Sequence, residues 1–188
     1  MMKRIVSIFA FVSLVLPAVA VADDFQDAIN LFRKAGESAS FFGKSYGYAV
    51  FPNVGKGGLG VGGAYGKGRV YEKGKYVGDA SMTQLTIGFQ AGGQAYSQII
   101  FFEDQAAFNA FTRGEFEFGA DASAVAITAA AGAKASTTGG SANASATKND
   151  ARTAGGQYYK GMATFVVAKG GLMAEASVGG QKFNYKKR

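Results

Sequence analysis

The chain has 188 residues, with 20 Lys and Arg against 13 Asp and Glu, a formal charge of +7, and neither histidine nor cysteine. Those two absences exclude a Ser-His-Asp or Cys-His nucleophile, a histidine metal site, a disulfide framework and a cysteine for lipid attachment. The positive balance favours an acidic partner without naming one.

Residues 1–22 read as a leader. Lys3 and Arg4 precede an apolar run over residues 5–16, and Ala18-Val-Ala20 or Ala20-Val-Ala22 supplies a small-residue cleavage pattern. The run is about half the ~20 residues that a spanning helix needs. We therefore expect a signal peptide cut after Ala22, a periplasmic protein, and one domain over residues 23–188, with a helical lead-in at 23–42 and a sheet core at 46–185. Loss of Lys3 and Arg4 leaves 166 residues (188 minus 22) and 18 cations against 13 acids, a charge of +5. A basic exported protein meets anionic lipid or polymer. No nucleic-acid motif is present, so no nucleic-acid partner is expected, nor any cofactor or metal.

In residues 23–42, Phe25, Ala28, Ile29, Phe32, Ala35 and Ala39 recur at three- and four-residue steps, with charges opposite, which predicts an amphipathic helix. After Gly43 the period becomes extended. Residues 46–52 read as a strand that Pro52 ends or sets at an edge. From Gly55 to Gly68 eight of fourteen residues are glycine. Such a run cannot be an ordinary helix, and it suits a strand that bends or accepts a close neighbour. Residues 68–71 then meet residues 75–78 across a short turn bearing Gly74, in hairpin fashion.

Thr83, Leu85, Ile87 and Phe89 alternate, Gly92-Gly93 interrupts, and residues 98–102 read as a strand covered on both faces. A helix follows, with Asp104 as N-cap, Ala107, Phe108 and Phe111 as its apolar stripe, and Gly114 as its stop. Residues 120–146 hold twelve alanines, and their small-residue alternation suits two strands joined at Gly139-Gly140. Residues 157–167 and 172–178 read as further strands, before a basic tail at Lys186-Lys187-Arg188. An early helix, many short antiparallel strands and one inserted helix make an α+β domain with a curved, barrel-like sheet.

Gly58-Leu-Gly60-Val-Gly62-Gly63 contains a G-x-G-x-x-G pattern, but a dinucleotide site needs a helix beginning there, and residues 64–71 are strand-type. The acids Glu103 with Asp104 and Glu115 with Glu117 make unconvincing catalytic pairs, the first because adjacent strand residues face opposite ways. We expect no enzyme. Lys56, Lys67, Arg69, Lys73 and Lys75 crowd the glycine-rich hairpin, with Tyr65, Tyr71 and Tyr76 interleaved. They read either as a solvated edge that discourages aggregation or as an anion-attracting patch. Lys56, Lys67, Arg69, Lys73, Lys75 and Tyr65 are the candidate lipid-binding residues. Gly57, Gly58, Gly60, Gly62 and Gly63 are the structural glycines that shape the sheet.

Three ordered blocks, residues 48–68, 85–94 (Leu-Thr-Ile-Gly-Phe-Gln-Ala-Gly-Gly-Gln) and 116–123 (Phe-Glu-Phe-Gly-Ala-Asp-Ala-Ser), resemble the SYLF lipid-binding family. The resemblance covers about residues 28–180. It implies a non-enzymatic domain that binds phospholipids, phosphatidylinositol lipids and actin among eukaryotic members, and phosphatidylglycerol or a similar anionic lipid for an exported one. After Asp121 the alanine-rich run replaces a glycine-proline element common in the family. On this expectation the basic hairpin attracts head groups and a curved apolar sheet takes acyl chains. The alternative expectation is a small outer-membrane β-barrel or a structural envelope protein.

Overall fold

A computed structural model of the protein describes residues 23–59, 61–87, 92–119, 124–127, 158, 160–169 and 178–188. The expected leader, the proposed turn at Gly139-Gly140 and most of the expected strand at residues 172–178 lie outside them.

Helix α1 (Asp24–Lys34) starts where Asp23 Oδ1 accepts from the Phe25 amide at 3.1 Å, and buries Ala28, Ile29 and Phe32. The expected single helix stops short of residue 42. Ala35 is extended, and the short α2 (Gly36–Ala39) follows. Ser38 Oγ donates to the Phe32 carbonyl at 2.6 Å, capturing an oxygen that continued helix would have used. The turn after α2 then drops Phe41 against Phe101 and Phe165, with ring centroids 5.5 and 5.1 Å away.

The remaining elements are β1 (Gly47–Leu59), β2 (Val61–Glu72), β3 (Lys75–Ile87), β4 (Gly92–Phe102), α3 (Gln105–Thr112), β5 (Val125–Ile127), β6 (Met162–Lys169) and β7 (Gln181–Lys187). Among the described residues the strands form one sheet in the order β5-β6-β4-β1-β2-β3-β7, antiparallel except for the β5/β6 pair. The expected α+β domain is thus mostly sheet, with few helices.

The glycine-rich stretch is the β1–β2 hairpin, with Gly57 opposite Gly63 and Gly58 opposite Gly62. At Gly68 the missing side chain is required: a Cβ there would stand 2.5 Å from the Phe51 ring, which lies on the bare backbone. The next hairpin turns at Lys73 and Gly74 (φ 48° and 80°), the two left-handed residues of a tight two-residue connection. Pro52 neither ends its strand nor marks an edge. β1 is central, paired with both β2 and β4, and Pro52 sits where the register slips between Val50 and Asn53. A bulge tolerates the missing amide donor.

That bulge changes which face each β1 residue serves. Ala49, Phe51 and Val54 enter one core with Tyr96, Ile100, Phe102, Met162, Val166 and Phe183, whereas Tyr48 and Val50 enter another with Ile99, Phe101, Phe165 and Val167. The first face is strongly concave. Four strand spacings separate β4 from β7, about 19 Å in a flat sheet. Yet Gln98 Nε2 on β4 donates to Gln181 Oε1 on β7 at 2.8 Å, and Gln181 Nε2 returns a bond to Gln98 Oε1 at 3.1 Å. α3 spans the same hollow, with Phe111 4.9 Å from Phe102 and 5.0 Å from Phe183. Asp104 caps it, its carboxylate accepting from the Ala107 amide at 2.8 Å, and Gly114 follows its end.

The barrel-like expectation is corrected to an open curl. β5 and β7 are the sheet's edges, and residues 117–118 lie on β7 through the Glu117–Lys182 bridge and a Phe118 amide bond to the Gln181 carbonyl at 3.2 Å. Residues 186–187 belong to β7 instead of a free basic tail. The strand expected at 157–167 begins at Met162, after Lys160 and Gly161 turn at φ 50° and 78°. Among the described residues no helix is long and apolar enough to cross a membrane.

Candidate functional site

Helices α1 and α2 cover only part of the convex face. Over β6, β4 and β1 they bury Phe165, Val167, Ile99, Phe101, Tyr48 and Val50 against Ala28, Ile29, Phe32 and Phe41. Over β2, β3 and β7 the same face carries Tyr65, Lys67 and Arg69, then Asp79, Ser81, Thr83 and Leu85, then Lys182, Asn184 and Lys186. Strand pairing sets these in rows: Tyr65–Thr83–Lys182, Lys67–Ser81–Asn184 and Arg69–Asp79–Lys186. Four cations therefore share this half-face with Asp79.

The six candidate lipid-binding residues do not form one cluster. Lys56 stands on the opposite, concave face and is 7% exposed, level with Ala64 on β2 and Gln94 on β4. The bulge at Pro52 is the cause, since it reverses the alternation between Val50 and Val54. Lys73 lies in the β2–β3 turn and Lys75 beside it, seven or more residues from Tyr65 along the hairpin, about 23 Å at 3.3 Å per residue. Lys73 there lies 5.0 Å from the centre of the Tyr46 ring. Tyr65, Lys67 and Arg69 remain together on the convex face.

Their surroundings differ. Arg69 is held at the border with α1: its Nη1 donates to Asp23 Oδ2 at 2.8 Å, and its guanidinium lies 4.1 Å from the Phe25 ring centre and 5.2 Å from that of Tyr76. The hydrogen bond from Arg69 holds the Asp23 carboxyl below the usual carboxylate range. Asp79 accepts from the Tyr76 hydroxyl at 2.6 Å. Lys182 faces Glu117 at 3.5 Å, both side chains being well exposed. Lys67 is exposed and has no ion pair among the described residues. Beside α1, Lys169 donates to Asn53 Oδ1, and Asn53 Nδ2 to Asp24 Oδ2 at 3.0 Å.

The candidate glycines Gly57, Gly58, Gly62 and Gly63 form the bare end of the hairpin, while Gly60 lies outside the described residues. No helix begins there. β2 follows directly, as a dinucleotide site would not allow. The concave face is filled by Phe51, Phe102, Phe111, Phe183 and the Gln98–Gln181 pair, with Gln84 Nε2 donating to the Gly179 carbonyl at 2.9 Å. Among the described residues no group of three or more acidic side chains stands together as a metal site. Asp104 is occupied as a helix cap and Glu117 as a bridge partner.

Sequence reasoning missed Lys182 and Lys186, and with them the exposed apolar residues Val61 and Leu85. The signal for the lysines was present: Gln181-Lys-Phe-Asn-Tyr-Lys alternates perfectly, with 181 and 183 buried and 182 and 184 exposed. Counting Lys186-Lys187-Arg188 as a tail hid the phase of Lys186, and Lys182 was passed over.

Residues 83–188 match the family Ysc84, described as "Las17-binding protein actin regulator". Over 159 residues the chain is 30% identical to "Beta cell expansion factor A" of Aeromonas veronii, an alignment covering 82% of this chain and 51% of that protein. The chain thus spans about half the length of this curated relative. The family is one of lipid- or actin-related binding and is not a known enzyme family. By the match over more than half its length, and with the ordered blocks at 48–68, 85–94 and 116–123, this chain belongs to the Ysc84 (SYLF) family.

Proposed function

We propose that the protein is a non-enzymatic phospholipid-binding protein of the cell envelope, exported by residues 1–22 to the periplasm, which docks on an anionic membrane surface through the uncovered convex half of its sheet. The observation that carries this reading is the placement of Lys67, Lys182 and Lys186, with Arg69 at their border with α1, on a half-face that no helix covers among the described residues. A membrane-spanning barrel is less well supported: it needs a closed wall with an apolar outer band, and here the sheet is open, half helix-covered and half basic.

Each lysine near an anionic bilayer contributes about 1 kcal/mol. Lys67, Lys182 and Lys186 together then give about 3 kcal/mol, a dissociation constant no tighter than the millimolar range. Electrostatics concentrates the protein at the surface and leaves firmer attachment to another term.

The test is flotation of the purified protein with phosphatidylglycerol-containing and purely phosphatidylcholine vesicles over a salt series. Association with the anionic vesicles, weakening as salt rises, is expected. Absence from both vesicle types at low salt would falsify the reading.

A further inference from the structure

Three large apolar side chains are exposed among the described residues: Val61 at 66%, Tyr65 at 51% and Leu85 at 81%. All three belong to the convex face, at the hairpin end of β2 and β3, where Val61 pairs with Ile87, Gly63 with Leu85, and Tyr65 with Thr83. Their exposure is built into the register. Leu85 has Gly63 as its neighbour on β2, Gly57 lies beyond that on β1, and Tyr65 has Gly55 on its β1 side. A glycine has no side chain to shelter its neighbour, so the apolar groups stand above bare backbone. Immediately beside them come cations, Lys67 two residues along β2 and Lys182 across β3 in the Tyr65 row.

Apolar tips bordered on one side by two lysines match the boundary between acyl chains and anionic head groups, where an aromatic hydroxyl and lysine ammonium groups reach water while aliphatic side chains leave it. The protein's own hollow is occupied by Phe51, Phe102, Phe111 and Phe183, so the apolar contact has to be made outside. We infer that Val61, Tyr65 and Leu85 form a wedge that enters the interfacial layer of an anionic bilayer. The protein holds the membrane by inserting side chains into it, and does not draw an acyl chain into itself. This rests on the membrane-docking reading above and goes beyond it in naming the mode and the residues.

The chain contains no tryptophan, so Leu85→Trp in the full chain is a single fluorescent reporter. With vesicles of phosphatidylglycerol and phosphatidylcholine, its emission is expected to shift to the blue and to be quenched by lipids brominated along the acyl chain. Lys44→Trp, exposed in the turn before β1, is expected to stay unquenched on the same vesicles. The double variant Val61→Ser/Leu85→Ser, which keeps every lysine, is expected to bind those vesicles roughly tenfold or more weakly with its thermal midpoint unchanged. Flotation of Leu85→Trp without quenching, or wild-type binding by the double variant, overturns the wedge and leaves membrane docking standing. Failure of the unaltered protein to float with anionic vesicles overturns both.

Discussion

Two halves of one convex surface are built from strands of the same period and end differently. Over β6, β4 and β1 that face presents Phe165, Val167, Ile99, Phe101, Tyr48 and Val50, and two short helices lie on them until Phe101, Ile99 and Val50 lose all contact with water. Over β2, β3 and β7 it presents instead Lys67, Lys182 and Lys186, the small polar residues Ser81, Thr83 and Asn184, and the exposed Val61, Tyr65 and Leu85. α1 begins at the seam, where its cap Asp23 grips Arg69. The first half uses its outward side chains for stability, whereas most of those of the second stay exposed among the described residues.

The sharpest way to break that division is to remove an aromatic ring from the covered half. Phe101 packs with the rings of Phe41, Phe42 and Phe165 at 5.5, 4.9 and 5.9 Å. Phe101→Ala should cost about 3–5 kcal/mol in chemical denaturation, with α1 and α2 losing protection from hydrogen exchange.

At the seam the expected effect is smaller and depends on pH. Asp23→Asn keeps a competent helix cap but loses the ion pair with Arg69. Because the Asp23 carboxyl is held below its ordinary 3.8, the pair contributes fully above that value and is lost as pH falls through the lower folded-state one. The thermal midpoints of wild type and variant should therefore differ by a constant amount near neutrality and converge only in acid below about pH 4. A gap that closes near pH 6 would assign the effect to another group.

On the bare half the expected change in stability is the smallest. Lys67→Glu should alter the unfolding free energy by no more than about 0.5 kcal/mol, while weakening association with anionic vesicles and flattening its salt dependence. Lost stability with unchanged vesicle binding would place Lys67 with the structural half.

Much of this was legible locally. The Asp104 cap, the Phe108–Phe111 stripe and the Lys73-Gly74 turn are short-range features whose chemistry acts within a few residues, and each stands where its sequence puts it. The two-sided burial of residues 98–102 was equally plain. What could not be read were relations between distant strands. Nothing near Pro52 announces that its strand lies at the centre of the sheet, paired on both sides, or that a slipped register there turns Lys56 inward while Lys67 faces out. Nor does the sequence of β7 say that it lies beside β3, which is what brings Lys182 into the row of Tyr65. The six residues grouped by their nearness in sequence are therefore separated in space: Lys56 is buried, Lys73 and Lys75 lie at the far turn, and the lysines beside Lys67 on its face come from a segment 115 or more residues further along the chain.

The paired amides of Gln98 and Gln181 carry a consequence for how the molecule is made. Their partners are 83 residues apart in the chain, and rings such as Phe51 and Phe111 have no Phe183 to meet until the same strand docks. The Gln98–Gln181 bonds that bring β7 to β4 cannot form until residue 181 has left the ribosome. Contacts of such long range slow folding. The docking of β7 ends that interval.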